Sequence, residues 1–344
     1  MSQSSAVKWK KISRWLPGLL LSLVAAVILI FVTDWQEFGQ AFQQIRLGSL
    51  LLACGLTIVF LVIRAAAWRE LLDGKAKFWQ AFRIVNEGYL LNNILIHRAG
   101  EFARAIFMGQ ASGLGFSRAL SSIVLERVFD LIFAAGIFLL CLPLVVGAEW
   151  AQTAGFATLA LVLIGLIVLF VMARKREKVE SWLRKLQVNG KLWNKFIKPQ
   201  LSNLLDGLAV LNRPRRFLSG AGLILLSWLV AFGYHFVLLR ALVPNAPFWW
   251  AVFTDTSLAM GIALPSAPAA LGVYEGAIVG ALALLGVASS TGLAFAITLH
   301  AMQFVITAIL GLIGLAQDGR NLTQLGHLFE TREIESSGET LEER

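Results

Sequence analysis

Charge is scarce in this chain, and histidine and cysteine are scarcer. Asp, Glu, Lys and Arg make up 15% of 344 residues against 57% hydrophobic ones, and the mean hydropathy is +0.72. A soluble domain usually carries about 25% charged residues, so an ordinary water-facing globule is excluded. The two cysteines, Cys54 and Cys141, both fall in long apolar runs. They read as small buried hydrophobes, which excludes a disulfide framework. Four histidines (His97, His235, His300, His327) occur without an H-E-x-x-H pair or paired cysteines. No metal and no cofactor is therefore expected. His235 and His300 sit in apolar runs and read as packing or interhelical hydrogen-bonding residues. A Gly-rich loop ending in Lys-Ser/Thr is missing, which argues against a nucleotide-driven pump. RNP, zinc-finger and helix-turn-helix patterns are missing too, so the positive charge does not point to nucleic acid.

What the chain has in abundance is long apolar sequence. About eight runs, 16–33, 48–68, 119–146, 154–173, 217–241, 248–267, 269–287 and 292–316, approach or exceed the roughly 20 residues that a membrane-crossing helix needs. The expected fold class is an all-α polytopic membrane protein with about eight transmembrane helices. The first run has no small-residue cleavage pattern after it and a second run follows at once, so it counts as a span. Residues 1–15 form a basic N-terminus, 16–316 one transmembrane domain and 317–344 a short polar tail.

The net charge of +9 is unevenly placed. Lys8, Lys10, Lys11 and Arg14 precede the first run, and Arg64, Arg69, Lys75, Lys77 and Arg83 follow the second. The loop 174–216 carries twelve basic residues against Glu177, Glu180 and Asp206. By the positive-inside rule these segments, and with them both termini, face the cytoplasm, while 33–47 and the loop at Glu149 face out. Apolar residues in 174–216 recur at helical spacing (Trp182, Leu183, Leu186; Trp193, Phe196, Ile197), which predicts amphipathic helices on the inner headgroup layer. That loop either orients the protein or recognises anionic lipid. Trp9, Trp15, Trp35, Trp68, Trp79, Trp150, Trp249 and Trp250 fall near the ends of the runs and read as interfacial anchors.

Against this background the strip Asn86 to Asp130 is an energetic anomaly. It holds Glu87, His97, Arg98, Glu101, Arg104, Glu126, Arg127 and Asp130. One Asp, Lys or Arg at a helix centre costs about 2.5–3.5 kcal/mol, so such a cluster must pair, line water or hold a polar ligand. Parity adds a constraint. The second run ends inside and the 119–146 run starts inside, so 84–117 must enter and leave on the same side. This predicts a cytoplasmic re-entrant hairpin with its inward limb at 89–96 and a break near Gly100. In a helix after Ile96, Arg98, Glu101 and Arg104 follow at i, i+3 as a +/−/+ ladder, with His97 one turn before Glu101. Glu126 and Asp130 are i, i+4, and Arg127 and Asp130 are i, i+3. The cluster reads either as ion pairs that fix packing or as a cavity whose arginines engage a lipid phosphate.

A second polar constellation contains Asp255 and the run Pro265-Ser266-Ala267-Pro268 through Tyr274-Glu275-Gly276. Its prolines and glycines predict a broken helix over 255–276, with Glu275 as a buried acid. Broken segments in corresponding places of two halves point to a transporter site. The other reading is a Pro-kinked span with an incidental acid.

The run Asn93 to Arg104, then Glu126-Arg127-Val128-Phe129-Asp130, then Leu264-Pro265-Ser266-Ala267-Pro268 leading to Leu271-Gly272-Val273-Tyr274-Glu275 resembles the lysylphosphatidylglycerol synthase transmembrane-region family, the flippase-like membrane proteins. The similarity spans roughly residues 15–316. It implies an integral inner-membrane protein that handles lipids or lipid-linked intermediates. In the multiple peptide resistance factor, a related membrane domain moves aminoacylated phosphatidylglycerol between leaflets and a separate soluble domain makes it. The short, acid-rich tail here leads us to expect no synthase domain and no lysyl transfer. Two positions depart from the family's pattern. Ile96-His97 replaces the proline usual before the Arg-x-Gly-Glu group, and Ala269 and Ala270 stand where glycines are common.

The expected headgroup site, by this resemblance, is Arg98, Glu101, Arg104, Glu126, Arg127, Asp130 and Glu275, supported by Glu87, Asn93, His97, Tyr274 and Asp255. The arginines would hold phosphate and the acids would balance charge. The expected function is a lipid translocator, or an accessory to one, for an anionic phospholipid or a polyprenyl-linked glycolipid, rather than an enzyme. The alternatives are a membrane-embedded transferase on a lipid-linked sugar and a non-catalytic partner of a lipid-synthesis complex. Expected partners are membrane lipid, a lipid-synthesis enzyme or glycosyltransferase, and a second copy of the chain.

Overall fold

The computed structural model describes residues 18, 20–95, 99–146, 153, 157, 160, 164, 213–264 and 266–320. The basic N-terminus, His97, Arg98, nearly all of the 154–173 run, the loop 174–212, Pro265 and the tail beyond 320 lie outside the described residues. Among the described residues every regular element is a helix. In chain order they are α1 (Leu20–Val32), α2 (Trp35–Gln43), α3 (Leu47–Leu71), α4 (Phe78–Ile94), α5 (Ala99–Ser112), α6 (Phe116–Val146), α7 (Pro214–Leu242), α8 (Phe248–Gly261), α9 (Val273–Leu284) and α10 (Ser289–Gln317). A 3-10 turn, Pro268–Ala270, lies between α8 and α9.

Four of these helices, α3, α6, α7 and α10, are long and apolar enough to cross a membrane, and α1 with α2 makes a fifth if their 90° bend belongs to one span. The chain is thus a multi-pass membrane protein. The eight runs do not become eight straight helices. The runs 248–267 and 269–287 form two limbs of 14 and 12 residues, about 21 and 18 Å of helix against a hydrocarbon layer of about 30 Å. They fold back on each other as an antiparallel hairpin, with Gly261 beside Ala277 near the break and Trp249, Phe253, Ala281 and Leu285 in one apolar cluster farther along. Helices α4 and α5 make the same kind of hairpin. Gln80 Nε2 donates to Ala111 O at one end (2.9 Å), and Gly100 N donates to Asn92 Oδ1 at the tip (2.9 Å).

The two hairpins belong to two repeats of opposite direction. In the first, α3 leads into the α4/α5 hairpin and then α6; in the second, α7 leads into the α8/α9 hairpin and then α10. Helices α3 and α7 pack antiparallel down the middle, Leu71 beside Gly220 and Leu56 beside Gly233. Around this pair the packing is reciprocal: α4 lies on α10 as α8 lies on α6, and α5 lies on α6 as α9 lies on α10. Asp73 after α3, Arg118 on α6 and Arg213 and Arg216 at the start of α7 share one end of the molecule, with Asp73 3.2 Å from Arg213 and 3.7 Å from Arg118. Asp34 and Ser290 share the other end, where Asp34 N donates to Ser290 Oγ. The hairpins therefore enter from opposite ends, and the 3-10 turn of the second packs on α4 of the first.

Small residues make this interlocking possible. A Cβ at Gly311 of α10 would lie 2.5 Å from Leu90 Cβ and 2.7 Å from Asn86 O on α4. A Cβ at Gly100 would lie 2.6 Å from Asn92 Oδ1. At the other tip, Ala269 and Ala270 both have positive φ, 55° and 57°. That conformation costs an L-residue about 1–2 kcal/mol and a glycine almost nothing. The alanines that depart from the family's glycines thus sit at left-handed positions.

Two stability outcomes follow. Gly311→Ala should lower stability by about 1–3 kcal/mol through overpacking, seen as an earlier thermal transition in detergent, whereas Ala269→Gly should melt at or above wild type. A Gly311→Ala protein as stable as wild type would contradict the α4–α10 packing.

Candidate functional site

The charges of the first repeat gather where α3, α5 and α6 meet. Glu126 of α6 is the centre. Its Oε2 accepts from Arg104 of α5 at 2.8 Å, and its Oε1 accepts from Arg127 at 2.6 Å and from Arg64 of α3. Asp130, one turn on, takes both ends of the Arg64 guanidinium at 2.6 and 2.7 Å. It also accepts the indole N–H of Trp228 on α7 at 3.1 Å. Arg127 lies 3.3 Å from Asp130 and 3.6 Å from Glu101 of α5. Three guanidiniums thus face three carboxylates, and Glu126 takes arginines from α3, α5 and its own helix.

Burial is graded across this network. The side chains of Arg64, Arg104 and Glu126 are 4%, 2% and 2% exposed, whereas those of Asp130, Glu101 and Arg127 are 17%, 20% and 31% exposed. The inner ions hold the helices together. The outer three form a rim that a polar ligand can touch.

The structure brings together five of the seven predicted headgroup residues: Glu101, Arg104, Glu126, Arg127 and Asp130. Arg98 and the supporting His97 lie outside the described residues. Along the predicted ladder Arg104 turns to α6 rather than standing ready on the helix face, and its guanidinium lies 4.3 Å above the Trp68 ring. Trp68 corrects another expectation. It is fully buried and donates to Ser122 Oγ (2.9 Å), so it is a stacking platform and not an interfacial anchor, while Trp35 and Trp79 are exposed as anchors should be. Arg64 was missed as a site residue, because charge counting places it on a cytoplasmic flank. Apolar residues on both sides, Leu61-Val62-Ile63 and Ala65-Ala66-Ala67, are the signal that sets it inside the helix.

Glu275 belongs to a separate group in the second repeat. Its Oε2 accepts from the N-cap Gly272 N–H at 2.7 Å, and its Oε1 takes His300 Nδ1 of α10 at 2.6 Å. The Tyr274 ring stacks on His300 at 4.0 Å, and its hydroxyl donates to Gln303 Oε1 at 3.0 Å. Gln303 Nε2 donates in turn to Tyr234 OH of α7 at 3.2 Å. Asp255 of α8 lies 3.4 Å from His235 Nε2. Asn93 at the tip of α4 donates to Thr307 of α10 at 3.0 Å. Glu87 is fully buried and pairs with Arg320 at 2.5 Å, fastening the end of α10 to α4. Sequence reasoning passed over His300, Gln303 and Tyr234 as site residues, although polar residues one turn apart in an apolar run (His300, Gln303) are a readable mark. Groups of His, Cys, Asp and Glu able to hold a metal ion do not occur among the described residues.

The family described as lysylphosphatidylglycerol synthase TM region has a model that matches residues 18–311. A UPF0104 membrane protein of Methanothermobacter thermautotrophicus is 24% identical over 332 residues, covering 89% of this chain and 94% of that protein. No solved structure gives a significant match.

Removing one partner from a buried ion network strands the others. Arg64→Ala should cost about 3–5 kcal/mol, read as loss of the folded fraction in detergent. Arg64→Ala with Asp130→Ala should cost less than the sum of the two single changes. Additive losses would mean that the two groups do not interact.

Proposed function

We propose a lipid-moving role from the premise that the chain belongs to the lysylphosphatidylglycerol synthase TM region family. In this reading the protein passes the headgroup of an anionic phospholipid or polyprenyl-linked lipid past the charged site of the first repeat while the acyl chains stay in the bilayer, either alone or as an accessory. One observation carries it: the rim of Glu101, Arg127 and Asp130 is partly exposed, whereas the ions behind it are enclosed. A network built only to fix packing has no need of a half-open arginine at such depth. Arg127 is the twelfth residue of α6, about 17 Å of helix from its start.

Arg127 would engage the phosphate through its planar fork, and Glu101 and Asp130 would release it to do so and balance its charge between events. The α4/α5 hairpin, whose limbs of 17 and 14 residues turn back at Gly100, would re-enter from the basic end, which the positive-inside rule makes cytoplasmic. There Arg69, Arg83, Arg118, Arg213 and Arg216 gather with Asp73, Glu70 and Asp318. The α8/α9 hairpin would re-enter from the other face. Two opposed re-entrant segments in inverted repeats support alternating access, in which one half rocks against the other.

Vesicles containing the purified protein and a fluorescent lipid test this reading. Wild type should move anionic lipid between leaflets faster than empty vesicles. Arg127→Ala should slow transfer about tenfold or more, the loss expected when a charge-assisted hydrogen bond of about 1.5–3 kcal/mol is removed. Exchanging Arg127 and Asp130 should restore expression and not transfer; recovery of both would assign the pair to packing alone. Absence of transfer across several headgroups would overturn the translocator reading. A mass change in extracted lipids that needs the protein and a donor would favour a transferase instead.

A further inference from the structure

The second repeat carries a titratable copy of the first repeat's rim pair. Glu101 is the third residue of α5 and Glu275 the third of α9. Arg127 and His300 are each the twelfth residue of the helix that follows, α6 and α10. Glu101 meets Arg127 at 3.6 Å, and Glu275 meets His300 at 2.6 Å. Asp130 and Gln303 are each the fifteenth residue of those helices. Each is reached from the central helix of its own repeat, Asp130 by Arg64 of α3 and Gln303 by Tyr234 of α7. Two-fold exchange has kept the acid and replaced a permanently charged arginine by a histidine, whose ordinary pKa is about 6.5.

The surroundings suit proton exchange. Gly272 N–H holds one carboxylate oxygen and His300 the other, while the Tyr274 ring fixes the imidazole plane. The side chains of Glu275 and His300 are 10% and 12% exposed, enclosed and yet not sealed. The ionisable groups around the pair are Tyr274 of α9, Tyr234 and, stacked on it, His235 of α7, and Asp255 of α8, with Arg64 of α3 and Tyr89 of α4 near enough to act on Tyr234. Helix α1 brings Ser22, whose hydroxyl accepts from Ala267 N. Asp34, before α2, meets α10 at Ser290, ten residues and about 15 Å from His300.

We infer that Glu275 and His300 form a proton site, loaded from one face of the membrane and emptied to the other, whose proton drives the lipid movement proposed above. The coupling rests on that reading; the proton site does not. On loading, an N–H bond forms on the imidazole at the expense of a hydronium O–H, and the imidazolium and carboxylate together are neutral, as Glu101 and Arg127 are. On emptying, that N–H bond breaks, water takes the proton, and a neutral imidazole beside a carboxylate leaves one uncompensated negative charge. An unpaired charge in apolar surroundings is costly, so the empty state favours a conformation in which Glu275 reaches water or a cation. The loaded state favours the closed contact seen here.

Infrared difference spectra of the full chain in phosphatidylglycerol nanodiscs, taken between about pH 8 and about pH 5, read the site without any transport assay. An imidazole or carboxyl change should appear in wild type and be lost in both Glu275→Gln and His300→Gln. In parallel, transfer of a fluorescent phosphatidylglycerol in vesicles is measured with and without an imposed proton gradient. The gradient should speed wild type about threefold or more, a differential of the size typical of coupling between sites. His300→Arg, which copies the first repeat and carries a permanent charge beside Glu275, should fold with a wild-type thermal transition and bring that ratio to about one. No titration in wild type overturns the proton site, whatever the lipid assay shows. Titration with transfer that ignores the gradient overturns the coupling. Titration with no wild-type transfer supports the site and sinks the lipid reading instead.

Discussion

Glu126 is the residue on which the rest of the first repeat depends. It is a carboxylate among apolar helices, 2% exposed, and it is tolerable there only because Arg64, Arg104 and Arg127 converge on it. Helices in lipid gain little from hydrophobic contact with one another, since acyl chains are as apolar as leucine. Direction and register must come from small-residue packing and from polar contacts that cannot be left unmade. Glu126 supplies such a contact to α3 and α5 at once. The hairpin tip cannot drift from α6, nor α3 from α6, without stranding an ion. Buried ion pairs add little net stability over a well-packed apolar core, but breaking one is expensive. Here that asymmetry fixes the arrangement.

The same constraint governs the backbone at the two breaks. Helix starts leave amide N–H groups unpaired, and lipid cannot satisfy them. Each tip finds an internal acceptor: Asn92 for Gly100, Glu275 for Gly272 and the Ser22 hydroxyl for Ala267. These acceptors lie beside the site residues, so ordering the backbone and presenting the polar groups are one task. Contact between the 3-10 turn and α4 then brings the tips of both hairpins to the middle of the molecule.

Much of this was legible in the chain. Scarce charge and long apolar runs give the helical membrane class, and loop parity gives a hairpin near 84–117 because topology is a counting problem, although its first limb is the longer Phe78–Ile94 and not 89–96. Charge spacing gives the Arg127–Asp130 contact, a relation within one helix. What could not be read are contacts between helices distant in sequence. Arg64 and Glu126 lie 62 residues apart, and no local period links them. The hydropathy that marks 248–267 and 269–287 as spans is indifferent to whether a limb of 14 residues crosses or turns back; that is decided by the break at Ala269 and Ala270 and by the helices waiting on either side. The inverted repeat was hidden for a related reason: its halves share packing and position, while Arg127 and His300 share little as letters.

That divergence bears on how a symmetric fold can do directional work. If both halves presented the same fixed charges, a phosphate-bearing headgroup would be held equally in either conformation, and no ligand shifts an equilibrium between states it binds equally. The first repeat holds three guanidiniums against three carboxylates. The second replaces them with a histidine, a glutamine and two tyrosines around Glu275. On the proposed reading, a headgroup drawn to the guanidinium rim would meet no arginine in the contacts of Glu275 across the pseudo-axis, where His300 would become cationic only with a proton. In that reading the two ends would differ in affinity, and the size of the difference would depend on the protonation of His300. A fold built of two inverted repeats would, on that reading, obtain a direction from the chemistry of one exchanged side chain.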